Sequence, residues 1–86
     1  MEMEFFEESL ERIREINPNA VLVDGFDNCI IGISERYGEE PVLIYSREKI
    51  IDNLMKNGCN QEDALEYYYY NILGSYVNES MPIFMI

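Results

Sequence analysis

Glutamates recur at helical spacing near the start of this sequence, at Glu4, Glu8, Glu11 and Glu15. On a helix such neighbours have Cβ atoms about 5–6 Å apart, close to the spacing of successive phosphates in a nucleic acid. The pattern therefore predicts an acidic ladder that a basic protein surface could bind. The ordinary alternative is a solvated outer helix face, with Glu near the helix start where the macrodipole favours it.

A run of consecutive tyrosines, Tyr67 to Tyr70, is the second candidate site. A helical wheel places Tyr68 and Tyr69 on the apolar face, whereas Tyr67 and Tyr70 fall opposite, beside Asp63 and Glu66. Tyrosine is enriched at interface hot spots, and the carboxylates suit an Arg or Lys of a partner. Packing of both rings under a neighbouring loop is the alternative. Base stacking is disfavoured, because aromatic side chains that bind single strands lie in positive grooves.

Asp24 and Asp27 are the third candidate, in the segment Asp-Gly-Phe-Asp-Asn. A calcium loop that began at Asp24 would have Phe26 at a ligand position and Cys29 in place of the sharp-turn glycine, so the match fails. Turn chemistry explains the segment. Paired carboxylates of a small-molecule-binding or hydrolytic domain are the alternative.

Catalysis by a nucleophile has little support, because the sequence contains no histidine. A Ser or Cys would need Lys49, Lys56 or a carboxylate as its base, and neither a nucleophile elbow nor a phosphate-binding glycine loop is present. We therefore predict no enzyme and no cofactor. Cys29 and Cys59 are predicted to be reduced thiols, with Cys29 buried. A structural zinc site needs about four ligands, so no metal is expected.

The composition is strongly acidic, with 17 Asp and Glu against 6 Lys and Arg and a net charge of −11. Such a surface repels nucleic acid and anionic membranes and attracts basic protein surfaces. The hydrophobic fraction of 48% indicates a folded body and excludes a disordered acidic tail. No apolar run approaches the roughly 20 residues that span a bilayer, and the acidic first residues do not fit a signal peptide. We expect a cytoplasmic protein with no direct nucleic-acid or membrane partner.

The hydrophobic pattern predicts one α+β domain over residues 1–86, in the order α-β-β-β-α-α-β. Short links between the strands favour a small antiparallel sheet of three to four strands packed against three helices. The first helix is predicted to end before Pro18, and the others to begin at the caps Ser46 and Asn60. The predicted strands are Ala20 to Val23, Cys29 to Ser34, Pro41 to Tyr45 and the tail from Met81 to Ile86.

The tail strand is apolar on both faces. Ile83 and Met85 should point one way, and Phe84 and Ile86 the other. An exposed edge strand of this kind would aggregate, so we expect cover on both sides. The chain's own helices would cover an inner strand. The alternative is a homodimer or larger homo-oligomer that buries these four residues between subunits.

Two segments resemble a group of small acidic phage-encoded proteins. One is Asp24 to Gly32, with the pattern DGFD…IIG, and the other is Glu66 through Phe84, with the ending Asn-Ile-Leu-Gly-Ser-Tyr-Val…Pro-Ile-Phe. Asn78-Glu79 departs from this pattern, which has Gly-Glu there. The resemblance implies a viral or mobile-element setting, and it carries no activity or catalytic residue with it.

These observations lead to three hypotheses of different classes. The first is a non-enzymatic acidic module that binds a basic, nucleic-acid-binding protein as an inhibitor or modulator, in the manner of a nucleic-acid mimic that counters host defence. The second is a homo-oligomeric assembly protein that uses the tail strand. The third is the small-molecule-binding or hydrolytic domain with Asp24 and Asp27. The residues predicted to bind a protein are Glu4, Glu8, Glu11, Glu15, Asp63, Glu66, Tyr67 and Tyr70.

Overall fold

A computed structural model of the chain describes residues 4–75 and 80–86 and confirms the α+β class. A 3-10 turn at Asp27–Cys29 precedes β1, and a π-helical segment, Tyr68–Leu73, continues α3. The helices are α1 (Phe5–Ile16), α2 (Arg47–Lys56) and α3 (Gln61–Tyr67), and the strands are β1 (Ile30–Arg36), β2 (Glu39–Ser46) and β3 (Ile83–Met85).

The sheet has the order β1-β2-β3, and it is mixed. β2 pairs antiparallel with β1 and parallel with β3, where Ile44 lies opposite Ile83 and Tyr45 opposite Phe84. The antiparallel pairing expected from short links is confirmed for β1 and β2, whereas β3, whose pairing direction the sequence leaves open, makes the sheet mixed. The chain leaves the end of β2, forms the helices and returns to run beside β2 in the same direction. Such a crossover connection is what a parallel pair requires.

The segment from Ala20 to Val23, predicted as a strand, does not join the sheet. The backbone N–H of Val23 donates to the Tyr45 hydroxyl at 2.9 Å, and the N–H of Val21 donates to the Ser80 carbonyl at 3.0 Å. In a strand, these N–H groups would bond to the carbonyls of a neighbouring strand. Here they bond to a side chain and to a loop carbonyl instead. The observed order is therefore α-β-β-α-α-β.

The apolar core lies on one face of the sheet. Along β2, Leu43 and Tyr45 face this core together with Ile13 of α1 and Ile50 of α2. Val42 and Ile44 alternate with them and lie outside the core cluster. The shortest dimension of the molecule is 18 Å. This thickness fits two layers, one of helices and one of strands.

The helix ends form as the sequence predicts. The Ser46 side chain accepts a hydrogen bond from the Lys49 N–H at 3.2 Å, and the Asn60 side chain accepts one from the Asp63 N–H at 2.8 Å. Gly58 ends α2 with a φ of +108°, in the left-handed region that favours glycine. Local signals therefore determine where α2 and α3 begin and where α2 ends.

The tail strand is an edge strand, and the expectation that the chain's own helices cover both of its faces is wrong. Phe84 packs against the rings of Tyr45 and Tyr68, with centroids 6.0 and 5.7 Å away. Ile83 and Met85, on the other face, remain 43% and 54% exposed. The reason is that the core and its helices occupy only one side of the sheet.

One feature of the sequence analysis, the departure at Asn78-Glu79 from the pattern of the phage-encoded proteins, lies outside the described residues. Among the described helices, none combines the length and the apolar character that crossing a membrane requires.

Candidate protein-binding surfaces

The first surface is the acidic stripe, which we define as Glu4, Glu8, Glu11 and Glu15. All of these side chains are exposed, whereas Ile13 of the same helix is buried in the core. At about 100° per residue, Glu8, Glu11 and Glu15 lie within roughly 60° of one another on the side of α1 opposite Ile13. α1 packs against β1 and β2 with its apolar side. Glu11 and Glu15 therefore face away from the sheet, whereas Glu8 also lines an open cleft beside Glu35 of β1.

Glu4 has a different place from the other members of the stripe. It is the N-cap residue of α1, and its backbone carbonyl accepts hydrogen bonds from the N–H groups of Glu7 and Glu8 at 3.0 and 3.2 Å. Its carboxylate thus lies at the positive end of the helix dipole, which favours it. The like-charge contacts of the stripe come from Glu8, Glu11 and Glu15 within the helix body.

The charge of the stripe is not neutralised by ion pairs. Within residues 4–75 and 80–86, the ion pair is between Arg36 and Glu39 at the β1–β2 turn. Arg12 and Arg14 lie on α1 and are exposed, but in that part of the chain neither forms an ion pair with the stripe. Like charges three or four residues apart on a helix are destabilising by about 0.2–0.5 kcal/mol per pair. The stripe therefore carries a small stability cost that a cationic partner would remove.

The second surface is the tyrosine surface, which we define as Asp63, Glu66, Tyr67 and Tyr70. Both tyrosines are exposed as the helical wheel predicts, by 46% and 76%. Asp63 and Glu66 are exposed on α3 as well. The structure thus brings two aromatic rings and two carboxylates to one exposed stretch of α3 and its π-helical continuation.

Tyr69 is also exposed, although the wheel places it in the core beside Tyr68. The side chains that this stretch buries are Ala64, Tyr68 and Ile72. At about 100° per residue these three lie within about 80° of one another, and Tyr69 lies about 60° beyond Ile72. Tyr69 is therefore at the margin of the buried face.

Arg47 is not a site residue that the sequence predicts, yet it contacts the tyrosine run on the side that faces β3. Its guanidinium carbon lies 5.6 Å from the Tyr68 ring centroid and 5.5 Å from that of Tyr69, within cation–π range. Burial raises the pKa of the Tyr68 phenol, and the Arg47 charge partly offsets this. No sequence signal indicates this contact, because it depends on how α2 meets the π-helical segment.

The acidic stripe and the tyrosine surface lie on different parts of the helical layer. α1 packs on β1 and β2, whereas α3 packs on α2 and the π-helical segment. Each surface can therefore be altered without changing residues of the other.

Asp24 and Asp27 are both exposed and do not share a cavity. Asp27 lines an open cleft of about 520 Å³ together with Asn53 and Lys56, and Asp24 is not among the residues that line it. Gly25 forms the turn between them with a φ of +87°. In the part of the chain that the structure describes, no three Cys, Asp or Glu side chains are placed to hold a metal ion.

Cys29 is fully buried, as predicted, in the 3-10 turn before β1. The Asn53 side-chain amide donates to the Cys29 Sγ at 3.2 Å and to the Asn28 side-chain oxygen at 2.9 Å. Burial raises the pKa of the Cys29 thiol to about 11, with Lys49 opposing the rise and Asp52 adding to it. The two hydrogen bonds join the turn to α2, and burial keeps the thiol protonated at neutral pH.

Comparison of the chain with models of known protein families, with curated protein sequences and with solved structures finds no match.

Proposed function

We propose that this chain is a non-enzymatic acidic protein-binding module that engages the basic surface of a nucleic-acid-binding protein as an inhibitor or modulator. The observation that supports this most is the acidic stripe, which α1 presents to solvent opposite its buried side. The resemblance to small phage-encoded proteins favours a phage or mobile-element setting. In that setting the partner is a protein of the host or of the phage itself.

The energetics of the stripe favour a cationic partner over solvent. Glu8, Glu11 and Glu15 repel one another on the free protein, and Lys or Arg of a partner would replace that repulsion with attraction. A net charge of −11 also steers a basic protein toward this chain during encounter. The same charge repels nucleic acid, so the chain would compete with nucleic acid for the partner.

The tyrosine surface would add the burial of apolar area to the binding free energy, which exposed charges alone do not provide. Exposed charge pairs contribute only about 0–1 kcal/mol each, whereas buried tyrosines are frequent hot spots of interfaces. Tyr67 and Tyr70 present their rings beside Asp63 and Glu66, so an Arg of the partner could stack on a ring and meet a carboxylate.

Charge reversal on the stripe tests this proposal. The variant Glu8→Lys with Glu11→Lys is compared with the matched control Asp24→Lys with Glu40→Lys, which makes the same change of charge at exposed positions outside α1. Affinity is measured against a panel of purified basic nucleic-acid-binding proteins. For a protein that binds the chain, we expect the stripe variant to lose about 5- to 30-fold, corresponding to about 1–2 kcal/mol, and the control to lose much less.

Competition with nucleic acid provides the second readout. The chain should displace a labelled nucleic acid from the same protein, and the stripe variant should displace it less well. Equal losses for the stripe variant and the control would show that net charge alone drives binding, and the proposed surface would be wrong.

A second candidate function, homo-oligomeric assembly through β3, is favoured by one observation. Ile83 and Met85 are exposed on an edge strand, and the described residues pair no strand with its outer edge. Sedimentation of the full chain and of Ile83→Lys tests it. A larger species that Ile83→Lys converts to monomer would support assembly, and a monomer in both cases would exclude it.

A further inference from the structure

α2 and α3 pack against each other and leave a groove of about 500 Å³ at the surface. Ile51 and Met55 line it from α2, Leu65 lines it from α3, and the exposed Ile86, which follows β3, is also in its lining. Ile51 is buried and Leu65 is partly buried, whereas Met55 is 42% exposed. The groove therefore has an apolar floor that opens to solvent, with a flexible methionine at its side.

The rim of this groove carries carboxylates. Glu48 and Asp52 line it from α2, one turn apart and both exposed. On α3, Glu62 is exposed three residues before Leu65, and helical residues at that spacing are surface neighbours. Arg47 also lines the groove and is positively charged, but its guanidinium is stacked on Tyr68 and Tyr69.

We propose that this groove binds the apolar face of a basic amphipathic helix of a partner protein. An amphipathic helix buries its apolar side chains in a hydrophobic groove between helices, and its flanking charges are selected by the rim. Lys and Arg beside the apolar face would meet Glu48 and Asp52. An acidic segment, or a second copy of this chain, would bring carboxylates to the same rim and be repelled. This inference rests on the proposed function and specifies the kind of segment that the partner supplies.

A designed peptide tests the groove directly. α2 has 10 residues, about 15 Å of helix, so a peptide of about 14 residues spans it. The probe has Leu at i, i+3, i+4 and i+7 and Lys elsewhere. One comparison peptide has the same composition in scrambled order, and another has Glu in place of Lys. Fluorescence anisotropy measures binding to the full chain, and we expect only the ordered basic peptide to bind well.

Substitution of the floor separates groove binding from general attraction. Met55→Glu adds a negative charge, so attraction by net charge alone predicts equal or tighter binding of the basic peptide. The groove predicts the opposite, a loss of about tenfold, because the charge lies where a leucine docks. Leu22→Glu is the control, since Leu22 is 36% exposed in the segment before β1 and does not line the groove. Met55→Leu should retain the affinity.

The complementary variant removes the negative charges from the rim of the groove. Glu48→Gln with Asp52→Asn should weaken the basic peptide by about fivefold, and Glu11→Gln with Glu15→Gln, which removes the same charge from α1, should change it less. Binding of the scrambled or acidic peptide equal to that of the ordered basic one would overturn the inference. So would a Met55→Glu protein that binds as tightly as the original.

The two proposals fail in different measurements. If Glu8→Lys with Glu11→Lys reduces binding of basic proteins but Met55→Glu leaves peptide binding unchanged, the groove inference is wrong and the proposed function stands. If Met55→Glu reduces peptide binding and the stripe variant has no effect on any protein, the groove stands and the stripe is only a solvated face.

Discussion

Loss of the Tyr45 hydroxyl should destabilise the protein clearly, although Tyr45→Phe removes a single oxygen. The Tyr45 hydroxyl accepts a hydrogen bond from the Val23 N–H at 2.9 Å, and both residues are buried. This bond ties the segment before β1, which joins no strand of the sheet, to the central strand. Without the oxygen the Val23 N–H loses this acceptor inside the core, at a cost of about 1–3 kcal/mol.

Thermal unfolding followed by circular dichroism measures this cost. For a domain of this size 1 kcal/mol corresponds to about 4–8 °C, so a loss of about 2 kcal/mol lowers the Tm by about 8–16 °C. Tyr70→Phe is the matched control, because the Tyr70 side chain is 76% exposed. We expect its Tm to change by less than about 4 °C. Equal Tm values for Tyr45→Phe and the unchanged protein would refute the structural role given to this bond.

Two further predictions concern a thiol and a glycine. Cys29 should resist a thiol reagent near pH 8 in the folded protein while Cys59, which is only partly buried, reacts, and both should react in denaturant. Burial raises the pKa of the Cys29 thiol from 9.0 to about 11 in the folded protein, so the unfolded chain loses this proton at a lower pH. The contribution of Cys29 to stability is therefore complete below pH 9 and should fall between pH 9 and 11. Gly74→Ala should lower the Tm, because an added Cβ would lie 2.9 Å from the Tyr69 carbonyl oxygen in the last π-helical turn, and crowding of this kind costs about 1–3 kcal/mol. A Tm for Gly74→Ala equal to that of the unchanged protein would show that this turn relaxes freely.

Local features of the fold could be predicted from the sequence. Ser46 and Asn60 accept the cap hydrogen bonds expected of them, and Gly58 has the left-handed conformation that ends a helix. These features depend on residues three or four positions apart. The end of α1 before Pro18 follows from the same kind of short-range sterics.

Long-range features could not be predicted in the same way. The sequence cannot tell whether the tail strand returns parallel or antiparallel to β2, because that depends on the path through the helices. The apolar residues from Ala20 to Val23 suit a strand, yet Tyr45 and Ser80 supply hydrogen-bond partners outside the sheet. The expectation that the chain's own helices cover Ile83 and Met85 required helices on both faces of the sheet, whereas the core lies on one face.

The candidate surfaces show the same division. The wheel of a regular helix predicts the outward positions of Tyr67 and Tyr70 and the stripe on α1. It is wrong for Tyr69, because the buried face of this stretch centres on Ala64, Tyr68 and Ile72 and leaves Tyr69 at its margin. Arg47 and the groove between α2 and α3 arise from tertiary packing, so no spacing in the sequence indicates them.

The measurement that tests the central claim most directly is the salt dependence of binding to a basic nucleic-acid-binding protein. If the unpaired carboxylates of the acidic stripe drive the interaction, affinity should fall steeply between about 0.05 and 0.5 M salt, because screening shortens the reach of exposed charges. The variant Glu8→Lys with Glu11→Lys should show a shallower fall than Asp24→Lys with Glu40→Lys. An affinity that does not change with salt, or identical salt dependence in both variants, would contradict the account.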